Sequence, residues 1–433
     1  MAVVTFPGPF GETPDGFGSM AEMFERFIAS LAGGGAQRWD QAKQMAAAIA
    51  TEGVPGSNVD PAARVAFEQL QRVAELHVAE LTGLTPAGSL TLVSRQQWTS
   101  DTIDAYRPLF EQLAGSFDSM LKSQLADLGD ADLEALNEMS DGQLGPDPRM
   151  FVNAMSQMLG PMMLTMMAGS MVGQLGTRAF GSYDLPIPRA PESKLLVVAD
   201  TIDEFGRDWS LAPDDLRLWV SIGELTTHTI LTTPHVHARM TQLLCQHASG
   251  FSGDLSSLED RLGDLDPMSP EGMEQLQSIL GDPEVVLGAM RSDAQAALLP
   301  ALDAIVCVLG GYVDWVVDRI GGKLLGDHVR ITEALRRRRV ETDQASRFVE
   351  RLFGLELTQG TFDRGSAFVD GVVERAGEGA LARLWRDEES LPTPPEIEAP
   401  GLWVARMGLA QVDVEGVGDI EVPDFFDDDG QDR

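Results

Sequence analysis

The stretch Asp215-Leu216-Arg217-Leu218-Trp219-Val220-Ser221-Ile222-Gly223-Glu224-Leu225-Thr226-Thr227-His228 decides how this chain is read. Pro213 precedes it, and Asp214 and Asp215 stand in the first turn. A proline with φ already near the helical value and two carboxylates at the positive end of the macrodipole both favour a helix start there. The spacing predicts a helix over about 213–232, stopped by Pro234. Glu224 and His228 are four residues apart, so they share one face of that helix.

Outward from this helix, other helical patterns fall at about 38–51 and 60–83. The second opens on Asp60-Pro61, an N-cap followed by proline. Further helices are expected at about 101–127, 148–177, 293–319, 328–353 and 361–376. The run Leu195-Leu196-Val197-Val198-Ala199 reads as a strand. The expected class is mainly α, an α+β chain with a minor sheet. Three regions follow: a glycine- and proline-rich segment over 1–36, with a short apolar helix at Met20–Leu31; one domain over 37–407; and a tail over 408–433. The tail alternates apolar and polar residues and closes on Asp427-Asp428-Asp429. The segment 250–285 is acidic and reads as loop.

Composition limits the partners. The 433 residues carry 67 acidic and 32 basic side chains, a formal charge of -35. That field repels phosphates, which argues against nucleic acid and anionic membrane surfaces. Four lysines against many arginines fit a GC-rich bacterial genome. Two cysteines, Cys245 and Cys307, exclude a disulfide framework and a thiolate zinc cluster. The N-terminal residues show neither a basic n-region nor a long apolar h-region, so a cytoplasmic location is expected. Between Arg149 and Arg178 no residue is charged and methionine recurs seven times from Met155 to Met171. Pro161, Gln157, Gln174 and several glycines interrupt that stretch, which reads as a buried helix whose methionines fill irregular gaps.

The chain has no glycine-rich phosphate loop followed by lysine and no G-x-S-x-G elbow. Four of six histidines, His228, His235, His237 and His247, crowd into twenty residues, and histidine is a common metal ligand. Arg336 to Arg339 form a run flanked by Glu333 and Glu341, expected as a solvated face paired with carboxylates.

The 215–228 stretch resembles the active-site helix of an actinobacterial zincin-like metallopeptidase family. Members of it often carry a hydrolase or deazaflavin-coenzyme-biosynthesis label. Gly173-Gln174-Leu175 through Tyr183-Asp184-Leu185-Pro186, Pro234-His235-Val236, Gly311-Tyr312-Val313-Asp314, Leu352 to Leu357 and Leu391-Pro392-Thr393 match in the same order. The resemblance implies a zincin-like helical core over about residues 20–407.

In that family the helix carries H-E-x-x-H, whose two histidines share a face and reach one zinc while the glutamate activates its water. A later E-G-(H/W/Y)-x-D motif supplies a third ligand. Residue by residue, the histidine positions are Gly223 and Thr227, the general base is Glu224, and the third ligand is Gly310. The resemblance therefore implies vacated ligand positions at Gly223, Thr227 and Gly310, with Glu224 a vestigial base and no cofactor. A displaced zinc site from Glu224, His228 and Asp314 is the alternative; against it, His228 is rotated about 100° from the second-ligand position. Gly310 and Gly311 each cost about 1 kcal/mol in a helix relative to alanine, and a close approach to Gly223 is one way to offset that cost. The expected function is non-catalytic binding of a peptide or protein segment in the cleft. An active metal-dependent hydrolase, or a structural or oligomeric role, stands as the other reading.

Overall fold

The computed structural model describes residues 35–54, 58–127, 164–251, 291–341 and 344–409. The Met20–Leu31 helix, most of the 250–285 segment, the methionine-rich stretch up to residue 163 and the tail beyond 409 lie outside the described residues.

In chain order the elements are α1 (Gly35–Ala50), α2 (Pro61–Thr82), β1 (Ser89–Val93), α3 (Arg95–Asp127), α4 (164–176), β2 (Lys194–Val198), α5 (Ala199–Asp208) and α6 (Pro213–Leu231). Then come α7 (Pro234–Ala248), α8 (Asp293–Leu324), α9 (His328–Val340), α10 (Gln344–Leu352), α11 (Gln359–Ala376), α12 (Pro394–Glu398) and α13 (Pro400–Arg406). The fold is mainly helical, with one two-stranded parallel sheet. Strand β1 pairs with β2 from Ser89↔Lys194 to Val93↔Val198, and Gly181 adds an antiparallel bridge to Val197.

Local chemistry sets several boundaries. Asp60 caps α2 by accepting the Ala62 N–H at 2.9 Å, and Gly83 closes it with φ of 68°. Ser292 and Gln295 form a capping box at the start of α8. Pro234 does more than end α6: it is the first residue of α7, where its missing N–H costs nothing. The single helix expected over 328–353 is two, α9 and α10. Strand β1 was not expected from the sequence, and α3 starts at Arg95 rather than near 101.

Helix α8 is the central element, packed on α6 and α11. It is the one described helix long and apolar enough to cross a membrane, and half of its most apolar window is buried in the protein. Its contact with α11 runs backbone to backbone. A Cβ on Gly311 would lie 2.1 Å from the Gly365 carbonyl carbon, and one on Gly365 would lie 2.0 Å from the Cys307 oxygen. The close approach is thus between Gly311 and Gly365, not between Gly310 and Gly223 as expected. In α4, Ala168, Met171, Val172 and Leu175 are buried. A Cβ on Gly173 would meet the Ile49 Cβ of α1 at 2.8 Å.

Candidate functional site

Helix α6 is buried along most of its length, including three threonines whose hydroxyls must be satisfied. Thr226, Thr227 and Thr229 each donate to the carbonyl four residues back, at 2.7, 2.8 and 2.6 Å. That local bond lets a hydroxyl be buried without a distant partner. Glu224 has no such option. Only 7% exposed, it accepts the N–H of Ser182 at 2.8 Å and the N–H of Tyr183 at 3.1 Å to each oxygen.

The backbone that donates to Glu224 is fixed from the other side. Trp98 Nε1–H donates to the Gly181 carbonyl at 2.6 Å, and the Leu196 N–H donates to Ser182 Oγ at 2.8 Å. A Cβ at Gly181 would sit 2.3 Å from the Glu224 carboxyl carbon, so only glycine lets the carboxylate approach this backbone. Burial pushes the Glu224 carboxyl up to about 8 and the charge of Asp184 adds to it. The N–H bonds from Tyr183 and Ser182 and the charge of Arg189 pull the other way.

His228 is fully buried. Its Nε2 lies 3.2 Å from the Pro191 carbonyl and its Nδ1 2.6 Å from the Tyr183 hydroxyl. A carbonyl can only accept, so this network assigns the proton to Nε2, and the Tyr183 O–H donates to Nδ1. Burial lowers the His228 pKa, which suits this neutral tautomer. Glu224 and His228 do not bond each other. Each instead holds a different end of Tyr183, whose own pKa burial raises.

Between α6 and α8 lies a cleft of about 200 Å³. Gly223, Glu224 and Thr227 line one side and Gly310 and Asp314 the other, so the structure brings together five of the six residues singled out from sequence. His228 is not on this lining. The Gly310 position is taken up by Phe362 of α11, whose ring edge would lie 3.0 Å from a Cβ there. Asp314 accepts from Arg339 Nη1 and Nη2 at 2.7 and 2.6 Å, and the Arg339 guanidinium lies 4.0 Å from the Phe362 ring centre. Gly223 differs: a Cβ there would meet only Val317 and Val313, at 3.9 and 4.0 Å.

The arginine run is not a single solvated face. Arg336 and Arg337 are exposed, and Arg337 pairs with Glu333 at 2.8 Å. Arg338 and Arg339 turn into the cleft because α9 presents successive residues about 100° apart. Arg338 donates to the Arg178 carbonyl, lies 3.6 Å from Asp184 and stacks 3.8 Å from the Phe180 ring centre.

The donor set does not suit a tetrahedral zinc. Two glycines offer no side-chain donor, the Thr227 hydroxyl is turned onto its own helix, Glu224 is held by amides and Asp314 by a guanidinium. Among the described residues, no group of three His, Cys, Asp or Glu is placed to hold a metal ion.

A family model for zincin-like metallopeptidases matches residues 38–404. The chain belongs to that family. Among solved structures, a protein from Chloroflexus aurantiacus described as a candidate hydrolase with a novel fold is similar, with a TM-score of 0.51 and 22% identity. The match covers 86% of this chain and 98% of that one, and at this identity it speaks for the fold alone. No curated protein matches the chain. In this zincin-like chain, sequence reasoning missed Phe362, Gly181 and the inward turn of Arg338 and Arg339. Tyr183 lies inside one of the stretches that carry the resemblance, but nothing in the sequence marks Phe362.

Proposed function

We propose that this zincin-like protein has lost its zinc ligands and acts as a non-catalytic binding protein, receiving a peptide or protein segment in the cleft between α6 and α8. The single observation that carries this reading is the state of the third-ligand position. Gly310 supplies no donor, Phe362 occupies the adjoining space, and Asp314 is held by Arg339 through two hydrogen bonds. Glu224 agrees with it. A general base in this family works on a metal-bound water, whereas here the carboxylate accepts two backbone N–H groups inside the protein. The cleft keeps apolar walls and a few fixed polar groups, which is how small binding sites are built. The reading includes a cytoplasmic location and, because a net charge of -35 repels phosphates, neither nucleic acid nor an anionic membrane as partner.

The competing reading, a hydrolase with zinc on Glu224, His228 and Asp314, needs these three side chains to converge. His228 is bonded instead to Tyr183 and Pro191 and Asp314 to Arg339, and among the described residues no three such side chains are placed to hold a metal ion. The test is zinc analysis of purified protein with assay against a mixed peptide pool. The expected result is well under one equivalent of zinc and no cleavage above background, unchanged by Glu224→Gln. Stoichiometric zinc that disappears on His228→Ala would establish the displaced site.

A further inference from the structure

Three arginines, Arg178, Arg338 and Arg339, stand together on one wall of the cleft of a strongly acidic protein. The acidic side chains on the same lining are already engaged. Asp314 is taken by Arg339, Glu224 by amides, and Asp184 accepts the Phe180 N–H at 3.2 Å. Glu350 has its own partner. Arg338 is paired less closely than Arg339: its ion pair with Asp184 is 3.6 Å long, against 2.6 Å for Arg339 with Asp314. Arg338 also borders a second, more open cavity, whose lining includes Thr177 and Thr201 and the carboxylates of Glu204, Asp208 and Glu341, and its side chain, 20% exposed, is reachable from solvent. Burial lowers the Arg338 pKa to about 10; Asp184 opposes the shift, and the charges of Arg178 and Arg339 reinforce it. A cation held this way gains from an added anion.

The cleft beside it is apolar and small. Leu175, Leu185, Val306, Leu309 and Leu357 line it together with Trp219. Its 200 Å³ falls below the roughly 300–1,000 Å³ of sites that take a whole drug-sized molecule. That space suits one apolar side chain at the end of a ligand better than an extended segment running through. We propose that the cleft binds the C-terminal end of a peptide, the terminal carboxylate on Arg338 and the last apolar side chain against the leucine and valine wall. Guanidinium–carboxylate pairing in a partly dry site is among the stronger polar contacts available to a protein. The proposal rests on the reading of the cleft as a binding site and adds to it the chemical class of the ligand.

The experiment titrates N-acetylated tetrapeptides ending in Leu, Ile, Val, Met or Phe into the full chain by calorimetry, each as free acid and as C-terminal amide. The expected result is that at least one free acid binds, its amide at least tenfold more weakly. Arg338→Gln should weaken the acid at least tenfold and the amide much less, and Arg338→Lys should recover part of the loss. Equal binding of acid and amide by the unaltered protein overturns the carboxylate assignment while leaving peptide binding intact. Binding of neither form overturns the proposal. Peptide fragments recovered from the cell would instead overturn the non-catalytic reading, whatever the ratio of acid to amide.

Discussion

Gly223 and Gly311 sit in two helices that pack on each other, yet the surroundings of the two glycines are opposite. Gly311 is required by its neighbours, since a Cβ would lie 2.1 Å from the α11 backbone. Gly223 is required by nothing nearby, since a Cβ would make only ordinary contacts at 3.9 and 4.0 Å. Gly310 falls between them, with a phenyl ring edge at 3.0 Å. A glycine in a buried helix can therefore mark a packing constraint or stand where a side chain would fit, and only the contact tells which. The two sides of the cleft differ in the same way. On the α6 side Glu224 is satisfied by backbone N–H groups; on the α8 side Phe362 and Arg339 occupy the space beside Gly310 and Asp314.

The largest effect that sharpens this contrast is expected from Gly311→Ala. Forcing a methyl group between α8 and α11 should cost about 3 kcal/mol or more, at the upper end of overpacking penalties, read as a drop in the denaturation midpoint. A near-neutral result would mean that the two helices part easily and that the close approach does not organise the core.

Glu224→Ala ranks next. It leaves the Ser182 and Tyr183 N–H groups buried without acceptors, which costs roughly 1–3 kcal/mol each. The carboxylate also makes stability depend on pH. Its folded pKa of about 8 lies above the unfolded value of 4.5, so the folded state binds the extra proton. The stabilising contribution is full below pH 4.5 and is lost as pH rises to 8, at about 1.4 kcal/mol per unit in that window. Glu224→Gln should remove this slope from a series of urea denaturation curves between pH 5 and 9. An unchanged slope would show that the N–H groups of Ser182 and Tyr183 keep Glu224 ionised throughout.

The smallest effect belongs to Gly223→Ala. It should raise stability by up to about 1 kcal/mol, the helix propensity gain with no clash to offset it. A destabilised variant would mean that the cleft is narrower at α6 than these contacts show.

Much of this organisation could be read in the sequence. Helix α6 was legible because Pro213, Asp214 and Asp215 mark its start by local chemistry, and α2 because Asp60-Pro61 does the same. The family resemblance pointed to Gly223, Glu224, Thr227 and Gly310, which line one cleft; four-residue spacing adds only that Gly223 and Thr227 share a helix face. The rest depends on contacts distant in sequence. Gly365 meets Gly311 across more than fifty residues, Phe362 reaches Gly310 from α11, and Ser182 meets Glu224 across 42 residues. The arginine run misled because its charge signals solvent, while helical rotation sends two of the four side chains inward. Strand β1 was missed because its partner β2 lies about a hundred residues away, and a five-residue run carries little pattern of its own.

The most direct measurement compares zinc bound by the unaltered protein with that bound by Gly223→His, Thr227→His, Gly310→Glu and Phe362→Ala combined, by elemental analysis after incubation with zinc and dialysis. The fourth change clears the ring that blocks residue 310. If Gly223, Thr227 and Gly310 are the vacated ligand positions, the unaltered protein should retain well under one equivalent. The folded variant should retain about one, held by two histidines from α6 and a glutamate from α8. One equivalent in the unaltered protein, or a folded variant that binds none, would contradict the account.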